Sequence, residues 1–223
     1  MVNMLRNIIT YTSTFFVIFT FSATSAFSGG DEWKAKMIAD ALTAAPPAVT
    51  NDATIYAWNS KGQMLLLRSG AGSYVCLASG FMSTRIGKTP LPYPDPMCLD
   101  QNAWKFMRHF LSQKNPMKPS GPYPTEPGLC WMMAGMAVAG GMLDIGSGMK
   151  FEVTVAKSGA KIVRMTPHLM ILPFPVNEKT AGMPTKYDTD HPGASWIMAA
   201  KSPIEHVMMH FSEQEVSAMM NAN

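Results

Sequence analysis

Apolar side chains recur at steps of three and four between Asp31 and Ala44 (DEWKAKMIADALTA), where Trp33, Met37 and Ala41 share a stripe with Ile38 and Leu42. That period predicts a helix. Asp31 and Glu32 stand in its first turn, where the helix dipole favours negative charge, and Pro46 and Pro47 stop it. A second helix is predicted to open at Asp100, a good N-cap residue. Its apolar stripe is Trp104, Met107, Phe110 and Leu111, and Lys105, Arg108, His109 and Ser112 fall on the other side, which makes His109 a solvated residue. A short last helix is predicted after Ser212, which forms a capping box with Glu215.

Elsewhere the period shortens to two. The stretch ATIYAW-NSKG-QMLLLR-SGAGS-YVCLAS reads as a β-meander, with turns at Asn59–Gly62 and at Gly70 and Gly72. The clearest hairpin is FEVTVAK-SG-AKIVRM, where Phe151, Val153 and Val155 alternate with Glu152 and Thr154 and the chain turns at Ser158–Gly159. Leu129–Met133 reads as a buried strand, and the glycine-rich residues after it as loop or short helix. PHLMILP and SWIMAA read as further strands. Residues 83–96 and 114–128 are proline-rich and suit neither a helix nor a central strand. The sum is an α+β fold: an antiparallel sheet of several short strands, with helices at both ends and one between.

The first residues change where this domain is expected to be. One basic residue, Arg6, precedes an apolar run from Ile8 to Phe21 and then small residues, the layout of a secretory signal peptide. Cleavage after Ala26 would define a signal segment 1–26 and a single domain 27–223. The apolar run is shorter than the roughly 20 residues a spanning helix needs, so no integral membrane protein is expected after cleavage; an uncleaved anchor is the alternative. The expected address is periplasmic or secreted. The 18 basic and 15 acidic residues give no basic face for nucleic acid.

Export puts the three cysteines in an oxidising setting, where one bridge is expected. Sequence does not fix its partners. Cys76 with Cys98 is favoured because it ties a strand-like run to the end of the proline-rich loop. Cys130, among apolar neighbours, would then be a buried and inert thiol.

Candidate chemistry is sparse. The octapeptide IEHVMMHF, read as a strand, turns His206, Met208 and His210 to one face. In PHLMILP the same rule pairs His168 with Met170. If the two strands were neighbours, imidazoles and thioethers would converge, a donor set suited to copper and above all to Cu(I). With 21 methionines in the chain, the same residues also read as core filler. YDTDHPG offers Asp188, Asp190 and His191, but lacks the glycine and terminal Glu of a calcium loop. Ser158 and Lys161 match SxxK without its partner motifs. Tyr93, Tyr123 and Trp131, in or beside the proline-rich loops, could form a ligand surface or simply pack over the sheet.

The elements LRSGAGSYVCLAS, PDPMCLDQNAW, TPHLMILP and SPIEHVMMH, in that order, resemble exported bacterial proteins without an assigned activity. That resemblance implies a cell-envelope setting and some weight on His168 and His206; it brings no catalytic role. The leading expectation is a binding or structural module of the envelope, with no cofactor and partners unknown. The alternative is a copper binder using His168, Met170, His206, Met208 and His210. A hydrolase whose nucleophile is not located is the third.

Overall fold

A computed structural model describes residues 29–81, 94–139, 152–155, 161–174, 181–185, 191 and 193–222. The predicted signal segment, the Ser158–Gly159 turn, Tyr93, Asp188 and Asp190 lie outside them. Helices occupy Gly29–Leu42 (α1), Pro47–Thr50 (α2), Gln101–Ser112 (α3) and Glu213–Asn221 (α4). Pro46 and Pro47 do end α1, but Pro47 also opens α2, as its fixed φ suits a first helical turn.

The main sheet has eight strands: β1 (Thr54–Trp58), β2 (Met64–Arg68), β3 (Val75–Leu77), β4 (Met97–Leu99), β5 (Gly128–Met132), β9 (His168–Leu172), β10 (Trp196–Met198) and β11 (His206–His210). A smaller sheet holds β6 (Met136–Ala139), β7 (Glu152–Val155) and β8 (Lys161–Met165). The large sheet runs in the order β10-β11-β9-β5-β4-β3-β1-β2.

Two expectations change here. The sheet is mixed rather than antiparallel, because β3 does not continue the meander; it crosses to the far side of β1 and pairs with it in parallel. The crossing is close. A Cβ on Gly70 would come within 2.2 Å of the Asp52 carbonyl oxygen, and Gly72 donates its N–H to that same oxygen. Only a residue without a side chain lets the two backbones pass so near. The glycine-rich run after Met133 is also not wholly loop or helix, since Met136–Ala139 forms β6. The pair β5/β9 continues into the pair β6/β8. Met132 faces His168 and Met136 faces Met165, so three residues on one strand oppose two on the other. One extra residue is a bulge, and Gly135 absorbs it at φ 76.

Alternation then sorts the side chains. One face of the sheet carries Ile55, Ala57, Cys76 and Cys98 and packs beneath α1. The other carries Leu77, Met97, Leu99, Cys130, Met132, Met170, Trp196 and Met208 and packs against Trp104, Phe106 and Met107 of α3. Cys76 and Cys98 are direct cross-strand partners and form the disulfide. Cys130 is the free cysteine, and it is buried on the opposite face.

Asp100 locks α3 to the sheet. Its Oδ1 accepts the Ala103 N–H at 2.8 Å, and its Oδ2 accepts the Leu129 N–H at 2.9 Å. A Cβ on Gly128 would sit 2.1 Å from the Ala103 nitrogen, so the helix start rests directly on the start of β5. The final capping box forms as read, with the Ser212 side chain accepting the Glu215 N–H and the Glu215 carboxylate taking the Ser212 N–H.

Candidate functional site

β11 lies between β10 and β9, antiparallel to both. Its register sets His210 opposite His168 and Met208 opposite Met170. The residues singled out on the two strands therefore share one face. On its other side β11 places Met208 opposite Trp196 and His206 opposite Met198.

The three imidazoles have different surroundings. His168 is fully buried, and its Nδ1–H donates to the Thr166 carbonyl at 2.7 Å. Its Nε2 has no hydrogen-bond partner among the described residues. His206 is part-buried and repeats the arrangement, with Nδ1–H donating to the Ile204 carbonyl at 2.7 Å. His210 uses both ring nitrogens. The Trp196 indole N–H donates to its Nε2 at 3.0 Å, and Nδ1 lies 2.8 Å from the Thr166 hydroxyl. Because Nε2 accepts, the proton of the neutral ring is on Nδ1 and is given to Thr166.

Burial governs their charge. It lowers the His168 pKa from an ordinary 6.5 to about 3, with the nearby His210 adding to the effect. Burial likewise lowers His210 to about 4 and pulls His206 down. All three are neutral imidazoles at neutral pH, which is the form that can ligate a metal.

They do not form one cluster. The His168 and His210 ring centroids are 5.6 Å apart. His206 is four residues from His210 along the strand, about 13 Å at the usual rise, so a single ion cannot touch both. The His210 lone pair is taken by Trp196. No group of three or more His, Cys, Asp or Glu side chains suited to a metal occurs among the described residues.

His206 instead lines a cavity of about 110 Å³ between α3 and the sheet. Met97, Met107 and Met132 form one part of its wall, and Met136, Met170, Met198 and Met208 another. Phe81, Phe106 and Phe110 contribute rings. Every other described lining residue is aliphatic, so His206 is the one with nitrogen in its side chain. Met198 belongs to a predicted strand, but nothing local in SWIMAA says which strand it faces; its place opposite His206 comes from the long-range register.

Tyr123, Trp131 and His109 are each engaged in packing. Tyr123 stacks on Phe106 at 4.7 Å and donates its hydroxyl to the Pro116 carbonyl. Trp131 packs on the opposite face of the sheet, with the α1 cluster, so the two do not share a surface. His109 is not solvated as expected: it is half-buried, edge-on to Tyr123 at 4.8 Å and 3.2 Å from the Gln113 amide. The His210–Thr166 pair has the outline of a base and a hydroxyl. The Trp196 bond gives it the wrong tautomer, since a ring that donates from Nδ1 cannot take the Thr166 proton there. No helix among the described residues is long and apolar enough to cross a membrane. No known protein family, curated protein or solved structure shows significant similarity to the chain.

Proposed function

We propose that the chain is an exported binding protein of the cell envelope, and that its binding site is the methionine-walled chamber between α3 and the sheet. The chamber itself carries the reading. Cores pack to near-crystalline density, with few voids larger than a water molecule, whereas this chamber, open on one side, leaves about 110 Å³ unfilled. Apolar walls of this extent admit small apolar guests. Methionine walls add adaptability, because an unbranched thioether repacks around a guest at low cost.

Export rests on the charged, apolar and small-residue order of the first 26 residues. The formed Cys76–Cys98 bridge fits an oxidising compartment.

The test uses protein labelled with ¹³C at the methionine methyls and exposed to xenon. The chamber methyls, such as Met170, Met198 and Met208, are expected to shift with saturation, and Met117, which is 38% exposed, to stay put. Equal or absent shifts at all methionines would refute the chamber as a site. Fractionation of cells, with the amino terminus of the exported form sequenced, tests the compartment; a start at Phe27 is expected.

A further inference from the structure

We infer that the chamber's ligand is a soft monovalent metal ion, Cu(I) or Ag(I), held by His206 Nε2 and the thioethers of Met198 and Met208. This rests on the chamber being a binding site, and it adds the chemical class of the guest.

The register carries the argument. His206 is the direct cross-strand partner of Met198, and Met208 that of Met170. Cross-strand partners have Cβ atoms about 5 Å apart, and His206 and Met208 are separated by two residues, about 7 Å. The four positions span three adjacent strands, about 10 by 7 Å, with Met198 and Met170 at opposite corners about 12 Å apart, too far for one ion. His206, Met198 and Met208 lie within about 9 Å of one another, and all three line the cavity. Flexible methionine side chains can close on an ion across such a patch without moving the backbone.

His206 is already arranged as a ligand. Its Nδ1–H is fixed on the Ile204 carbonyl at 2.7 Å. Metal-bound histidines commonly hold their second nitrogen in this way, which sets the ring orientation and leaves the other lone pair for the metal. No hydrogen bond engages His206 Nε2 among the described residues.

The donor set selects the ion. No carboxylate, hydroxyl or amide side chain is among the described lining residues, so calcium and magnesium, which need oxygen ligands, find none. Thioether and imidazole suit Cu(I). A single positive charge also suits a site whose ligands are all neutral, since a second buried charge without compensation would cost far more. A hydrocarbon guest would need apolar walls but neither sulfur nor the prepared imidazole.

Ag(I) serves as a redox-inert probe, titrated into the folded, disulfide-bonded protein and followed by native mass spectrometry and ¹³C-methionine NMR. Cys130 faces Met170 across the β5/β9 pair and offers a competing thiol, so the titration is run on the wild type and on Cys130→Ala. One equivalent is expected in both, tighter than micromolar, with the largest shifts at Met198 and Met208. His206→Leu should weaken binding by about 100-fold and Met198→Leu by about 10-fold. Met198→Leu conserves volume and keeps the fold if His206→Leu does not. Binding lost in Cys130→Ala, or unchanged in both ligand variants, overturns the inference. Xenon shifts without silver binding would remove the metal and leave the chamber; failure of both removes both.

Discussion

The indole of Trp196 donates its N–H to Nε2 of His210 at 3.0 Å, and the two ring planes are within 9° of parallel. The bond joins β10 to the far end of β11 and leaves His210 no lone pair for a proton. Trp196→Phe keeps the bulk and removes the donor. Orphaning a buried acceptor costs about 1–3 kcal/mol, so a stability loss in that range is expected by chemical denaturation. The His210 pKa should rise at the same time, read from its ring proton shifts. An unchanged titration would show that the indole bond does not set the tautomer.

Buried neutral histidines make the fold sensitive to acid. His168 and His210 titrate near 6.5 when unfolded but near 3 and 4 when folded. Between those values the unfolded chain binds protons that the folded chain refuses, so stability falls as pH drops below 6.5 and is fully present above it. Each such histidine contributes a slope of up to about 1.4 kcal/mol per pH unit. His168→Leu should remove one share of that slope, and at pH 7 change stability by less than about 1 kcal/mol, because it also deletes an unsatisfied buried nitrogen. Denaturation curves from pH 7 to 4.5 check this; a parallel acid profile in the variant would count against it.

Asp100 serves α3 and β5 with one carboxylate. Asp100→Ala removes an N-cap and frees the Leu129 N–H at once. The expected loss is about 2–4 kcal/mol, the cap and the unpaired donor together. Asp100→Asn should recover part of it by keeping one acceptor. Urea denaturation of the three proteins decides, and equal stability of all three would disprove the shared role.

The crossing at Gly70 makes a sharper case. Gly70→Ala would force a methyl group to 2.2 Å from a backbone oxygen and 2.4 Å from a backbone carbon. Overpacking against a backbone that cannot yield costs at least about 2–3 kcal/mol. Gly121→Ala, where a new Cβ meets nothing within 4 Å, is the control and should be near neutral. Thermal unfolding of the pair checks the contrast.

These contacts also mark what could be read along the chain. The Cys76–Cys98 pairing and the meeting of His168 with His210 depend on which strands are neighbours, whereas the Asp100 cap and the Ser212 capping box follow from local chemistry, and the shared face of His206, Met208 and His210 from strand alternation. β3 could not be placed that way. Its partners are β1 and β4 rather than β2, its neighbour in sequence, and no local pattern says so. The strand at Met136–Ala139 was hidden because its glycine-rich surroundings carry no period. Met198 was visible as a strand residue, but its meeting with His206 needs a turn of known length between β10 and β11. Alternation gives the face of a side chain, whereas register gives its partner, and register is a property of the assembled sheet.

The sheet also acts as a partition between sulfurs. Cys98 is paired with Trp131 and Cys130 with Leu99, so the bridge and the odd thiol are one rung apart along β4 and β5 yet point to opposite sides. Exchange between them would need a thiolate lined up with the bridge. The backbone stands in the way, and burial, with Asp100 adding its charge, pushes the Cys130 pKa far above the ordinary thiol range. An odd cysteine in an oxidising setting usually invites scrambling or cross-linking of two molecules. In the folded protein the sheet keeps the odd thiol and the bridge on opposite sides, so rearranging the pairing would require β4 and β5 to part.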